Sequence, residues 1–225
     1  ELLVYRGKLD AQGRWVGEAW SDRGGARRFV AVRNPDAVVD PVVTPWDGDA
    51  AEPLQFEFPD LDGRSVTSTD PRLDGQPMIL AVLGSWSPAS HEAATLLGQI
   101  ARRYGARGLA IVGLMFEQHA DPARAVAAIH RFREAREVDF PTLLAGTVDQ
   151  AAAALPRLEG GVRAYPTFLF VDRNGQVRRI HTGLHSAAAG LLHEQMLREF
   201  DVAIEELLAD DGAATSATAT TAAQP

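Results

Sequence analysis

Cysteine is absent from all 225 residues. That excludes disulfides, thiolate metal sites and every reaction that runs through a thiolate nucleophile, and it removes the usual clue to redox compartment. Long apolar runs are missing too. No stretch approaches the ~20 uncharged apolar residues needed to span a bilayer, so a soluble protein is expected. Basic charge is in deficit: 22 Lys and Arg stand against 30 Asp and Glu, for a net charge of −8 and a pI near 5.2. A phosphate backbone is therefore excluded as a partner, because duplex binding needs a basic footprint. There is no internal repeat. The chain starts at Glu1 with neither a methionine nor a charged-then-apolar leader, as expected of a processed or trimmed form.

What is present is enough apolar material for a core, 46% of residues, in three segments of different texture. Residues 1–45 carry short β-like runs, Leu2-Leu3-Val4-Tyr5, Arg14-Trp15-Val16 and Arg28-Phe29-Val30-Ala31-Val32. Turn signals at Gly13 and Gly24-Gly25 separate them. A three-strand meander is marginal alone, so this segment is expected to be part of a larger β module or an edge packed on the main domain. Residues 46–53 read as a linker within a Pro- and Asp-rich stretch that begins at Asp40-Pro41. A domain is expected over 54–209, and an Ala/Thr-rich tail over 210–225 lacks apolar periodicity and is expected to be disordered.

Within the main domain, Asp62-Gly63 suits a hairpin turn. The pattern then alternates: strand 78–84, helix 88–104, strand 109–115 and helix 121–136, a βαβ unit with parallel strands. The apolar run Phe140-Pro141-Thr142-Leu143-Leu144 follows, then a short helix near 148–155 and a strand over 167–171. Asn174-Gly175 turns that strand back into 176–181. A final amphipathic helix presents Met196, Phe200, Ile204, Leu207 and Leu208 as one stripe. The order implies an α/β fold, a mixed sheet flanked by helices and preceded by a short β-rich segment.

Where the 78–84 strand hands over to its helix, the chain reads Gly84-Ser85-Trp86-Ser87-Pro88-Ala89-Ser90. Three further features accompany it in order: Leu61-Asp62-Gly63-Arg64 with Leu73-Asp74-Gly75, then Tyr165-Pro166-Thr167-Phe168, then Val171-Asp172-Arg173-Asn174-Gly175. Over about 150 residues this set resembles the thioredoxin-fold TlpA-like disulfide reductases, or redoxins, related to the AhpC/TSA proteins. The resemblance aligns Trp86 to Ser90 with the family's Trp-Cys-Pro-x-Cys, and Tyr165-Pro166 with its cis-proline loop. In such proteins the first cysteine attacks a client disulfide from the helix N-terminus and the second resolves it. Here Ser87 and Ser90 occupy those positions. A hydroxyl is far less acidic than a thiol and forms no S–S intermediate, so the activity that the resemblance implies is expected to fail at its first step.

Other departures accompany the serines. Ala81 and Ala93 stand where related proteins often carry a proton-handling carboxylate, and Glu92 points about 100° away from position 93 on a helix. Two origins stay open, loss of the catalytic role in the lineage and a deliberate or recent double substitution; the missing carboxylates favour the first. Ser87 followed by Pro88 is also a good helix start, a hydroxyl N-cap with proline at the first helical position. The resemblance implies a groove rimmed by Trp86, Pro88, Tyr165, Pro166 and Thr167 that takes an extended protein or peptide client by strand addition. It also implies an extracytoplasmic setting.

Neither a cofactor nor a metal is expected. The six histidines, at 91, 119, 130, 181, 185 and 193, show no ligand spacing with a carboxylate and read as surface groups. Ser87 and His91 lie four apart, but a histidine one turn along the same helix is poorly aimed as a base, and there is no Gly-x-Ser-x-Gly elbow. Two functional classes remain: a non-catalytic family member retained as a client-binding module, and the inactivated form of an active disulfide reductase.

Overall fold

A computed structural model describes residues 3–21, 25–33, 44–46 and 52–210. The chain divides into two compact units, Glu1–Pro41 and Val42–Pro225.

The first unit is the meander. Strands β1 (Leu3–Leu9), β2 (Trp15–Ser21) and β3 (Ala26–Ala31) pair antiparallel in sequence order. They run further than their apolar cores alone imply, taking charged positions into the ladder. Arg6 faces Glu18, which faces Arg28, an alternating row that favours pairing. On the opposite face the rings of Tyr5 and Phe29 meet edge to face at 5.4 Å.

The second unit opens with a hairpin of β4 (Glu57–Pro59) and β5 (Ser65–Thr67). The Asp60 carboxylate accepts from the Asp62 and Arg64 N–H groups at 2.9 Å, and Gly63 takes φ +82°. The Asp-Gly turn thus has both its acceptor and its left-handed residue. The central sheet has the order β10-β9-β6-β7-β8. Its strands are β6 (Met78–Leu83), β7 (Ala110–Glu117), β8 (Thr142–Thr147), β9 (Thr167–Val171) and β10 (Val177–Thr182). β7 runs parallel to both β6 and β8, while β9 is antiparallel to β6 and β10. Helices α1 (Pro88–Tyr104) and α2 (Pro122–Arg136) make the parallel crossovers, and α3 (Ala151–Ala154) and α4 (Leu191–Ala209) complete the unit.

Side-chain alternation splits the core into two layers. Ile79, Ala81, Leu83, Phe168 and Phe170 face α1, α2 and α4, where Leu97, Phe132 and Phe200 pack. Leu80, Val82, Leu169 and Val171 face the β4–β5 hairpin and α3. Every residue of β6 is buried, as expected for a central strand covered on both faces. Residues 44–46 belong to this unit: the Thr44 N–H donates to Thr182 Oγ1 at 3.0 Å, and Trp46 bridges to Leu158. The expected tail falls, beyond Asp210, outside the described residues, as do 47–51 of the expected linker. Among the described residues no helix is long and apolar enough to cross a membrane.

Candidate functional site

The site forms where β6 ends and α1 begins. Ser87 is the N-cap of α1, extended at φ −93° and ψ 118°, with Pro88 next. Its hydroxyl does two jobs. The oxygen accepts from the Ser90 N–H at 3.3 Å, and the proton is donated to the Tyr165 carbonyl at 2.9 Å. That second bond ties the helix start to the loop before β9, where the Tyr165–Pro166 peptide bond is cis. Ser90 lies one turn in, fully buried, its hydroxyl accepting from the Gly84 N–H at 3.2 Å. The sequence-predicted residues are therefore brought together, at unequal depth. Trp86 and Pro88 are exposed and Tyr165 is half-buried, whereas Pro166 and Thr167 are buried. Thr167 Oγ1 donates to the Ala164 carbonyl at 2.9 Å, so this side chain shapes the loop from behind.

Trp86 is held on three sides. Its indole N–H donates to the Phe116 carbonyl at 2.9 Å, and its ring meets Tyr165 edge to face at 5.1 Å. Gly84 makes the third contact possible, since a Cβ there would lie 2.5 Å from the indole nitrogen. Burial pushes the Tyr165 phenol up to about 12, so this ring stays neutral. The loop keeps one backbone donor free: among the described residues nothing accepts the Tyr165 N–H, while the Pro166 carbonyl is taken by Gly183 N at 2.8 Å.

The residue that sequence reasoning missed is Glu117. It is 3% exposed, at the end of a β7 strand that runs two residues beyond the expected 109–115. A buried carboxylate is costly unless its lone pairs are filled. Here the Ser85 N–H donates to one oxygen at 3.0 Å and the Ser85 hydroxyl to the other at 2.6 Å. Ala81 and Ala93 are both buried in the core, and the carboxylate beside the helix start comes instead from Glu117 on β7. Glu117 pins the turn that presents Trp86. The available signal was a lone glutamate closing an apolar run, which reads equally well as the first loop residue.

His91 is also engaged, contrary to the reading of all six histidines as surface groups. Arg136 Nε donates to its Nδ1 at 3.0 Å, which leaves the ring proton on Nε2, 2.8 Å from the Ser85 carbonyl that accepts it. Both nitrogens are spent away from Ser87, so this imidazole has no lone pair to offer that hydroxyl. His181 is the second exception. Its ring packs against Phe200 at 5.0 Å, and burial holds its pKa below the ordinary 6.5. Among the described residues no group of three or more histidines and carboxylates is placed to hold a metal ion. A larger cavity of about 630 Å³ is lined by Leu109–Val112 and Phe140–Leu143, at the opposite ends of β7 and β8, and touches none of the site residues above.

A mixed sheet of this order, with a helix start facing a cis-proline loop, places the second unit among the thioredoxin-like folds. The chain belongs to the AhpC/TSA family, whose model matches residues 48–180. No curated protein sequence matches it. Among solved structures it is similar to a thiol:disulfide interchange protein of the thioredoxin family from Chlorobium tepidum TLS, with 20% identity, TM-score 0.52, and 76% of this chain and 99% of that one covered. A second protein from Chlorobium tepidum, assigned as thiol:disulfide interchange protein DsbE, shares 21% identity with TM-score 0.50, covering 73% and 99%. A hypothetical protein from Sinorhizobium meliloti 1021 shares 18% identity with TM-score 0.52, covering 75% and 87%. At these identities the likeness is one of fold.

Proposed function

We propose that this chain is a client-binding member of its thiol–disulfide oxidoreductase family, in which the groove persists and the electron-transfer step does not. The observation that carries the reading is the pairing of Ser87 Oγ with the Tyr165 carbonyl at 2.9 Å. The helix start and the proline loop keep the facing arrangement that a client strand needs, while the atom at its centre is oxygen. A serine hydroxyl at that point caps a helix and donates a hydrogen bond; it cannot attack a disulfide and be released again by a neighbouring thiol. Trp86 and Tyr165 supply an amphipathic aromatic rim, and the Tyr165 N–H supplies a backbone donor for an added strand. Pro88 lines the rim, with Pro166 and Thr167 as the buried frame beneath it.

The second reading, an inactivated reductase, draws support from Glu117. A buried carboxylate beside the helix start means that the site has not lost every group able to handle a proton. One comparison separates the two. The chain as it stands should reduce insulin no faster than buffer. The double variant Ser87→Cys/Ser90→Cys should fold and remain at least an order of magnitude slower than an active thioredoxin-fold reductase if binding is the long-standing role. Recovery to the rate of such a reductase would overturn the binding reading in favour of recent inactivation.

A further inference from the structure

Beside Trp86 lies a cleft of about 290 Å³ lined by Ser85, Trp86, Glu117, Gln118, His119 and residues of α2. The α2 residues are Arg124, Ala127, Ala128 and Arg131. Arg124 and Arg131 are seven apart, two helical turns, and so share a face; the alanines between them leave the space open. Both arginines are exposed, and among the described residues neither guanidinium has a hydrogen-bond or ion-pair partner. Nine arginines elsewhere in the described residues hold ion pairs, and acidic residues outnumber basic ones by eight overall. The one carboxylate in the cleft, Glu117, has both oxygens occupied by Ser85. Two guanidinium charges against one carboxylate leave the cleft cationic in an otherwise acidic protein.

We propose that this cleft is a specificity subsite for an acidic side chain of the client, next to the groove described above. The inference rests on the binding reading of that groove. A client strand crossing Trp86 presents a side chain to the same face every ~6.6 Å, and Trp86 itself lines the cleft with α2, so the cleft is offered to a neighbouring same-face side chain of that strand. A carboxylate there accepts the planar guanidinium donors that now lack a partner. A lysine in the same place meets two like charges. The kind of partner is thus an extended segment with an Asp or Glu near its docking point.

The test uses the full chain and fluorescein-labelled extended peptides of Val and Thr, in which one Glu, Gln or Lys is walked through successive positions, read by anisotropy. At one register the Glu peptide should bind about tenfold more tightly than its Gln counterpart, the scale of two rim charge contacts. The preference should shrink with added salt. Arg124→Gln/Arg131→Gln should abolish it, and Arg124→Glu/Arg131→Glu should turn it toward the Lys peptide; both variants change exposed positions and should fold. Equal binding of Glu and Gln peptides at every register, or a preference that survives the double charge reversal, overturns the subsite and leaves the groove standing. If no peptide binds, or if Trp86→Ala leaves all binding unchanged, both the subsite and the groove fail.

Discussion

At position 117 a carboxylate sits almost wholly out of water and is answered by a single neighbour, Ser85, through both its amide and its hydroxyl. Charge-assisted hydrogen bonds of this kind are among the stronger ones, and a buried acceptor that loses a donor carries its desolvation penalty unrelieved. Glu117→Gln keeps the shape but has only one oxygen to offer two donors, and its amide brings protons that face Ser85. We expect this variant to lower the unfolding free energy by about 1–3 kcal/mol, read from the urea midpoint at neutral pH. A midpoint equal to that of the parent would show that the carboxylate is not what holds the Trp86 turn. Little of this was legible beforehand. The motif Trp86 to Ser90 and the pair Tyr165-Pro166 announced themselves because their residue types and order are unusual. Glu117 and His91 are ordinary residues that matter through partners 32 and 45 positions away, and local pattern carries no information about such pairs.

At the scale of elements, the start of α1 has no acidic residue in its first turn, so Ser87 is the principal local acceptor for its free N–H groups. Ser87→Ala removes the cap and the bond to the Tyr165 carbonyl together. It should cost about 0.5–2 kcal/mol, seen as a lower denaturation midpoint. Ser87→Thr keeps a hydroxyl and should recover most of the loss; equal destabilisation by both variants would mean that shape, not the hydroxyl, is what position 87 supplies. The elements themselves followed closely from pattern. α1 and β9 fall where apolar periodicity puts them, because strong turn residues bound each one, Pro88 before the helix and Asn174-Gly175 after the strand. β7 and the meander strands extend beyond what apolar alternation alone predicts. Their ends are fixed by partners, Gly146 and Thr147 opposite Phe116 and Glu117, and Ser21 and Trp15 opposite Leu3 and Leu9, so polar residues are carried inside strands that apolar alternation would close.

At the scale of the whole molecule, the mixed sheet is closed on one face by α4, and His181 is trapped in that closure beside Phe168 and Phe200. Its Nε2 has no partner among the described residues. Burial is the main reason its pKa lies below 6.5; Glu199 opposes the shift, while His185 and Arg179 add to it. Above the ordinary value of 6.5 both folded and unfolded imidazoles are neutral, and the native state keeps its full stability. As pH falls through that value the unfolded chain takes up the proton first, and stability declines until the folded pKa is passed. The parent should therefore lose stability more steeply than His181→Gln between pH 7 and pH 5, in paired thermal melts. Parallel slopes would contradict the assignment.

The claim on which the rest depends is that a client strand still docks against the Trp86–Tyr165 rim of a chain that cannot exchange disulfides. Nuclear magnetic resonance of the ¹⁵N-labelled protein, titrated with an extended cysteine-free peptide, addresses it directly. Saturable shifts of the Trp86 indole N–H and the Tyr165 and Thr167 amides are expected, lost in Trp86→Ala. Shifts confined to other surfaces, or none at millimolar peptide, would contradict it.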